Sequence, residues 1–159
     1  AGVDFLWFPT PNFGGYCISR KTYEKCISES NIRALKRIKD NGAQIVLHTC
    51  GLYDDRFDLV LKESGDAWHI SDTSTKKVKE QYGDKVSLMG SIPCVPVLME
   101  GTEQEVYDFC YKECMDAAQD GRFILSGDCD VPPGTSDENM KAAVRAAKDA
   151  EKILFGKTK

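Results

Sequence analysis

The chain has 159 residues, a length suited to one domain built around one core. Its 25 acidic and 21 basic residues leave a net charge of −4, with both signs mixed along the sequence, so no electrostatic footprint for nucleic acid is present. No apolar run approaches the length of a membrane span, and the N-terminus lacks a basic segment followed by an apolar core, so neither a membrane partner nor a signal peptide is expected.

The first predicted element is a buried strand from Val3 to Phe8, running into Pro9-Thr10. A helical stretch follows from Lys21 to Asp40 and stops at Asp40-Asn41-Gly42. The second strand, Gln44 to His48, ends in His48-Thr49-Cys50-Gly51. A helix from Asp54 to Ser64 stops at Ser64-Gly65, and a third strand spans Ala67 to Ser71. Ser74 to Tyr82 reads as a helix, and Val86 to Gly90 as the fourth strand, which opens into the loop "SIPCVP". The last three elements are a helix from Thr102 to Gln119, a strand from Arg122 to Ser126, and a helix from Ser136 to Phe155. "VPPGT" before that last helix reads as a rigid loop, with Thr135 as N-cap and Glu138 completing a capping box.

Regular alternation of strand and helix implies an α/β fold with a parallel sheet and right-handed crossovers. An open doubly wound sheet and a (β/α) barrel both satisfy this pattern. No Gly-rich phosphate loop follows any strand, which counts against the nucleotide-binding open sheets. Five strands would form only part of an eight-stranded barrel. The abrupt entry of "AGVDFLWF" into a strand suggests a fragment or a domain of a longer chain. Seven cysteines, an odd number without a small secreted framework, point to a reducing, cytoplasmic setting.

In a parallel sheet all strand C-termini share one edge, and that edge carries the chemistry. Here the strands end in His48-Thr49-Cys50, Ser71-Asp72-Thr73, Gly90-Ser91-Ile92-Pro93-Cys94 and Ser126-Gly127-Asp128-Cys129-Asp130. Residues i and i+2 of an extended chain point the same way, so His48 and Cys50 can close on one ion. Cys129, at the end of the fifth strand, can add a third ligand if the sheet curls. Two thiolates and one imidazole suit zinc and leave a fourth position open, as catalytic zinc sites do. The plainer alternative is a buried cysteine beside a hydrogen-bonded strand-end histidine. Cys110 and Cys114 lie among apolar helix positions and read as core. Cys17 and Cys26 have no ligand-type neighbours and read as structural or surface thiols. Cys94 lies in the rim loop, within reach of the site. His69 reads as a satisfied core histidine. Asp72 and Asp128 are either loop caps or partners of the ligands.

The segments "IVLHTCG", "GDAWHISDT", "VSLMGSIP" and "FILSGDCDVPPGTSDENMKAAVRAA" resemble the C-terminal part of the uroporphyrinogen decarboxylase superfamily. The resemblance covers nearly the whole chain, and the last segment is its most specific piece. The His-x-Cys pair with a distant Cys is similar to the corrinoid-dependent branch, the methylcobamide:coenzyme M methyltransferases and their relatives. The resemblance implies a partial (β/α)8 TIM barrel, with residues 1–159 as its last five βα units. It also implies zinc held by His48, Cys50 and Cys129, which would be the catalytic residues. Asp72, Ser91 and Asp128 would contact substrate or support the ligands. The implied reaction moves a methyl group between a methylated corrinoid (cobalamin) protein and a small thiol such as coenzyme M. Alternatives are a corrinoid-dependent demethylase of methyl ethers or thioethers, a porphyrinogen carboxy-lyase, and an inactive barrel fragment. One departure is local: the family's Gly-Asn-x-Asp-Pro loop is replaced here by Gly90-Ser91-Ile92-Pro93-Cys94. An unclosed sheet exposes its edges, so a homo-oligomer that covers them is expected.

Overall fold

A computed structural model describes residues 2–156 of the chain. Five strands form one wholly parallel sheet in sequential order: β1 (Phe5–Pro9), β2 (Gln44–Thr49), β3 (Ala67–Ile70), β4 (Ser87–Met89) and β5 (Phe123–Ile124). Six helices connect and follow them: α1 (Arg20–Tyr23), α2 (Glu29–Lys39), α3 (Phe57–Lys62), α4 (Thr75–Tyr82), α5 (Glu103–Ala117) and α6 (Asp137–Phe155). This is a partial (β/α)8 barrel. α1 runs into α2 through a π-helical turn at Glu24–Ser28, so the long helix expected from Lys21 to Asp40 forms with a bulge inside it.

Side chains alternate across the sheet as strand geometry demands. Ile45 and Leu47 of β2 point outward, toward the helices, and are buried with Leu35, Phe57, Leu59, Trp68, Ile70, Val78 and Leu88. Gln44, Val46 and His48 point to the other, concave face. The register pairs Trp7 with Val46 and Pro9 with His48, so β1 presents Phe5, Trp7 and Pro9 to that same face. Phe5 is 63% exposed and Trp7 45%. A second core joins Ile92, Leu98, Val106, Cys110, Ala142, Ala143 and Ala146 beneath α5 and α6. Cys110 and Cys114 are buried, as their apolar helix positions predict, while Cys17 and Cys26 are exposed.

Several local expectations are corrected. The N-cap of α6 is Ser136, whose hydroxyl accepts the Asn139 N–H at 3.2 Å. Thr135 instead donates its hydroxyl to Pro132 O at 2.9 Å, closing the proline loop. The full capping box stands at α5, where Thr102 and Glu105 cap each other reciprocally. After α3 the left-handed residue is Ser64 (φ 62°), not Gly65. Gly65 is required by packing: a Cβ there would lie 2.7 Å from Leu47 Cγ. The "SIPCVP" stretch is not a plain loop, because Cys94–Met99 coils into a π-helical turn. β5 is two residues long, but the parallel bridge between Ile92 and Gly127 extends the pairing to the rim.

Candidate metal centre

The site forms where β2, β3 and β5 end on the concave face. His48 is the penultimate residue of β2, and Cys50 follows two positions later on the same side. The His48 carbonyl is clamped from behind: Thr10 donates to it from both its N–H and its hydroxyl, each at 2.9 Å. Tyr53 OH in turn donates to Thr10 O at 2.6 Å. Ser71 Oγ accepts the Gly51 N–H at 2.8 Å and fixes the turn that follows Cys50.

Cys129 arrives on a loop held against the end of β4. Asp128 N–H donates to Ile92 O at 2.8 Å, and Asp128 Oδ1 accepts the Cys94 N–H at 3.1 Å. The Cys94 thiol donates to Cys129 O at 3.4 Å. Gly127 leaves no room for a side chain here, since a Cβ would sit 2.6 Å from Cys94 Sγ. The loop brings Cys129 Sγ to 3.9 Å from His48 Nε2. One donor atom each from His48, Cys50 and Cys129 lies within 4.8 Å of the others.

His69 stands beside His48, because β2 and β3 pair these two residues in register. Their Nδ1 atoms are 2.7 Å apart, and His69 Nε2 is 2.6 Å from Gly127 O. Trp7 lies across both rings, its centroid 5.2 Å from that of His48 and 4.8 Å from that of His69. These groups line a cleft of about 360 Å³ together with Pro9 and Asp130.

Burial pushes the His48 imidazole below its usual range, reinforced by His69, and burial does the same to His69. Burial also pushes the Cys50 thiol up, and the adjacent Cys129 thiol adds to this. Without an ion, burial therefore favours a neutral His48 imidazole and a protonated Cys50 thiol.

The six residues expected at the site do not all meet there. His48, Cys50 and Cys129 converge. Asp128 supports the Cys129 loop rather than facing the cleft. Asp72 is exposed, in the left-handed region (φ 49°), and its charge helps raise the Cys50 thiol. Ser91 is buried just after β4. Neither Asp72 nor Ser91 lines the cleft. His69 is satisfied, as expected of a core histidine, but its partners are His48 and Gly127 O. The signal for this contact is the matching position of the two histidines near the ends of consecutive strands. Trp7 carries no signal in the sequence beyond its place in the first strand.

The sequence model of the Uroporphyrinogen decarboxylase (URO-D) family matches residues 1–150. The chain belongs to this family. A family relative, the methylated-thiol–coenzyme M methyltransferase of Methanosarcina mazei, is 28% identical over 151 residues, which take in 93% of this chain and 38% of that protein. A solved methyltransferase structure from Methanosarcina mazei shares the fold, with a TM-score of 0.82 at 19% identity over 93% of this chain and 42% of that one. The chain thus spans about two fifths of the length of either. Among the described residues no helix is long and apolar enough to cross a membrane.

Proposed function

We propose that this chain forms the metal-binding part of a zinc-dependent methyltransferase. It would move a methyl group between a methylated corrinoid protein and a small thiol such as coenzyme M. The observation that carries the reading is the convergence of His48, Cys50 and Cys129 at the mouth of the concave face.

The donor set fits zinc. Tetrahedral zinc with bonds near 2.3 Å to sulfur and 2.0–2.1 Å to nitrogen sets donor–donor separations of about 3.6–3.8 Å. The 3.9 Å between Cys129 Sγ and His48 Nε2 is close to this, and the 4.8 Å limit on the whole set leaves only a small contraction. Three protein donors would leave one coordination position of the ion open, and the adjoining cleft has room for a small thiol. Zinc bound there supplies the positive charge that lets a substrate thiol react as thiolate near neutral pH. The chain's residues provide the rest. Two thiolates balance the ion's charge, Trp7 covers the histidine side of the cleft, and the Asp128–Cys94 contacts hold Cys129 in place. The corrinoid, carried by its own protein, would supply the methyl carbon to the substrate thiolate and keep the electron pair of the carbon–cobalt bond, so that the product would be a thioether. The name of the Methanosarcina mazei relative, which pairs methylated thiols with coenzyme M, favours sulfur as the partner atom over an ether oxygen.

The test uses the purified protein. It should hold about one zinc, lost in Cys50→Ala and Cys129→Ala and retained in Cys110→Ala, whose thiol sits in the second core. Methyl transfer from a methylated corrinoid protein to coenzyme M should follow the zinc content. Full zinc occupancy in both ligand variants, or transfer that survives zinc removal, would overturn the reading.

A further inference from the structure

We infer that His69 is a positioning residue that sets the tautomer of His48 through a charge-neutral relay ending on Gly127 O. The inference rests on the zinc reading above for its purpose, but on hydrogen-bond parity for its content.

A backbone carbonyl only accepts hydrogen bonds. Gly127 O lies 2.6 Å from His69 Nε2, so that nitrogen carries a proton. A neutral imidazole has one donor and one acceptor nitrogen, so His69 Nδ1 is then an acceptor. It lies 2.7 Å from His48 Nδ1, which must therefore be the donor. His48 is left with its lone pair on Nε2, the atom that faces Cys129 Sγ at 3.9 Å. The parity runs in one direction from Gly127 O to the cleft and selects the atom that can bind a metal. Strand register builds the relay, since His48 and His69 are paired across β2 and β3.

The end of the relay also matters. Metal-bound histidines are often oriented by a carboxylate, which adds negative charge to the site. Here the terminus is a carbonyl, and the whole relay is neutral. Zinc with two cysteine thiolates and a neutral imidazole carries no net charge, so an incoming anionic thiolate meets no excess negative charge. Gly127 serves both ends of the design. Its carbonyl orients His69, and its missing side chain makes space for the Cys94 thiol that supports the Cys129 loop.

The chain has two histidines, which makes the test direct. Long-range nitrogen–proton NMR on the metal-free chain at pH 8, above the usual imidazole range, reports which ring nitrogen carries the proton. His48 should be protonated on Nδ1 and His69 on Nε2. Zinc titration should then shift the His48 Nε2 resonance and leave the His69 tautomer in place. Zinc affinity, read by competition with a chelator, should fall roughly 10- to 100-fold in His69→Leu, which removes the acceptor. His69→Gln, whose amide both accepts and donates, should restore it. A His48 protonated on Nε2, or a His69→Leu variant of undiminished zinc affinity, would overturn the relay. Absence of zinc binding by the unaltered protein, with both tautomers as stated, would remove the methyl-transfer reading and still support the relay.

Discussion

Glu63 closes α3 and is 2% exposed, yet among the described residues no cation pairs with it. Its carboxyl accepts from Tyr23 OH at 2.6 Å and from Asn31 Nδ2 at 3.1 Å. Burial outweighs these two bonds and pushes its pKa up from 4.5 to about 7. A carboxyl whose folded pKa is raised binds its proton more tightly in the folded state than in the unfolded one. Its stabilisation is therefore complete below about pH 4.5 and is lost as pH rises through 7. From 4.5 to about 7, at 1.36 kcal/mol for each unit, the loss amounts to about 3 kcal/mol. The perturbation is Glu63→Gln, which keeps an acceptor for Tyr23 and cannot ionise. Urea unfolding of both proteins from pH 4.5 to 8.5 yields a difference curve in which other titrating groups largely cancel. The Gln variant should gain on the wild type between pH 4.5 and about 7 and hold that advantage above it, with a relative shift in midpoint on the order of 1 M. Parallel curves for the two proteins would refute the reasoning, because they would mean that Glu63 ionises without cost in the fold. The group also bears on the site. Tyr23 packs edge-on against Tyr53, at 6.1 Å and 86°, and Tyr53 holds Thr10 against the His48 carbonyl.

Two further outcomes are expected. Asn139 is buried at the start of α6 and donates from Nδ2 to Leu98 O at 2.9 Å and Gly101 O at 2.8 Å, so Asn139→Ala should cost about 2–4 kcal/mol in chemical denaturation while leaving zinc affinity unchanged. Trp7 lies on the His48 ring, whereas Trp68 is fully buried against Phe57 at 5.3 Å, so zinc should alter tryptophan emission in Trp68→Phe but not in Trp7→Phe. An emission change that survives in Trp7→Phe would place the metal elsewhere.

What could be read from the sequence follows from how local each signal is. The βα alternation is legible because strands and helices impress their own periods on neighbouring residues. His48 and Cys50 are legible for the same reason, since i and i+2 share a face in any strand. Cys129 is a different case: its strand-end position marks it as a candidate, but its place beside them depends on how far the sheet curls, which no local pattern encodes and for which the family resemblance is the stronger signal. His69 was visible as a histidine but not as a partner. Its contact with His48 depends on strand register, which the outward packing of Leu47 and Trp68 establishes through tertiary burial. The α6 cap failed for a subtler reason. Thr135 and Ser136 are both competent caps, and the proline loop decides between them by engaging the Thr135 hydroxyl first.

The three donors also constrain the shape of the sheet. Cys50 follows β2 and Cys129 follows β5, three strand spacings apart. In a flat sheet, spacings of about 4.8 Å would separate them by roughly 14 Å. The donor atoms lie within 4.8 Å of one another, so curvature of the sheet and the inward reach of the Cys129 loop remove most of that distance. A metal bound by this set therefore binds the curved sheet and not a flattened one. By linkage, whatever free energy the ion gains from having all three donors also favours the curvature. The Ile92–Gly127 bridge and the Asp128 contacts to Ile92 and Cys94 are the protein's own share of the same constraint, made before any ion arrives. Asp128 and Cys94 would thus affect a bound metal through the position of Cys129 rather than by touching it, and their effect is on geometry.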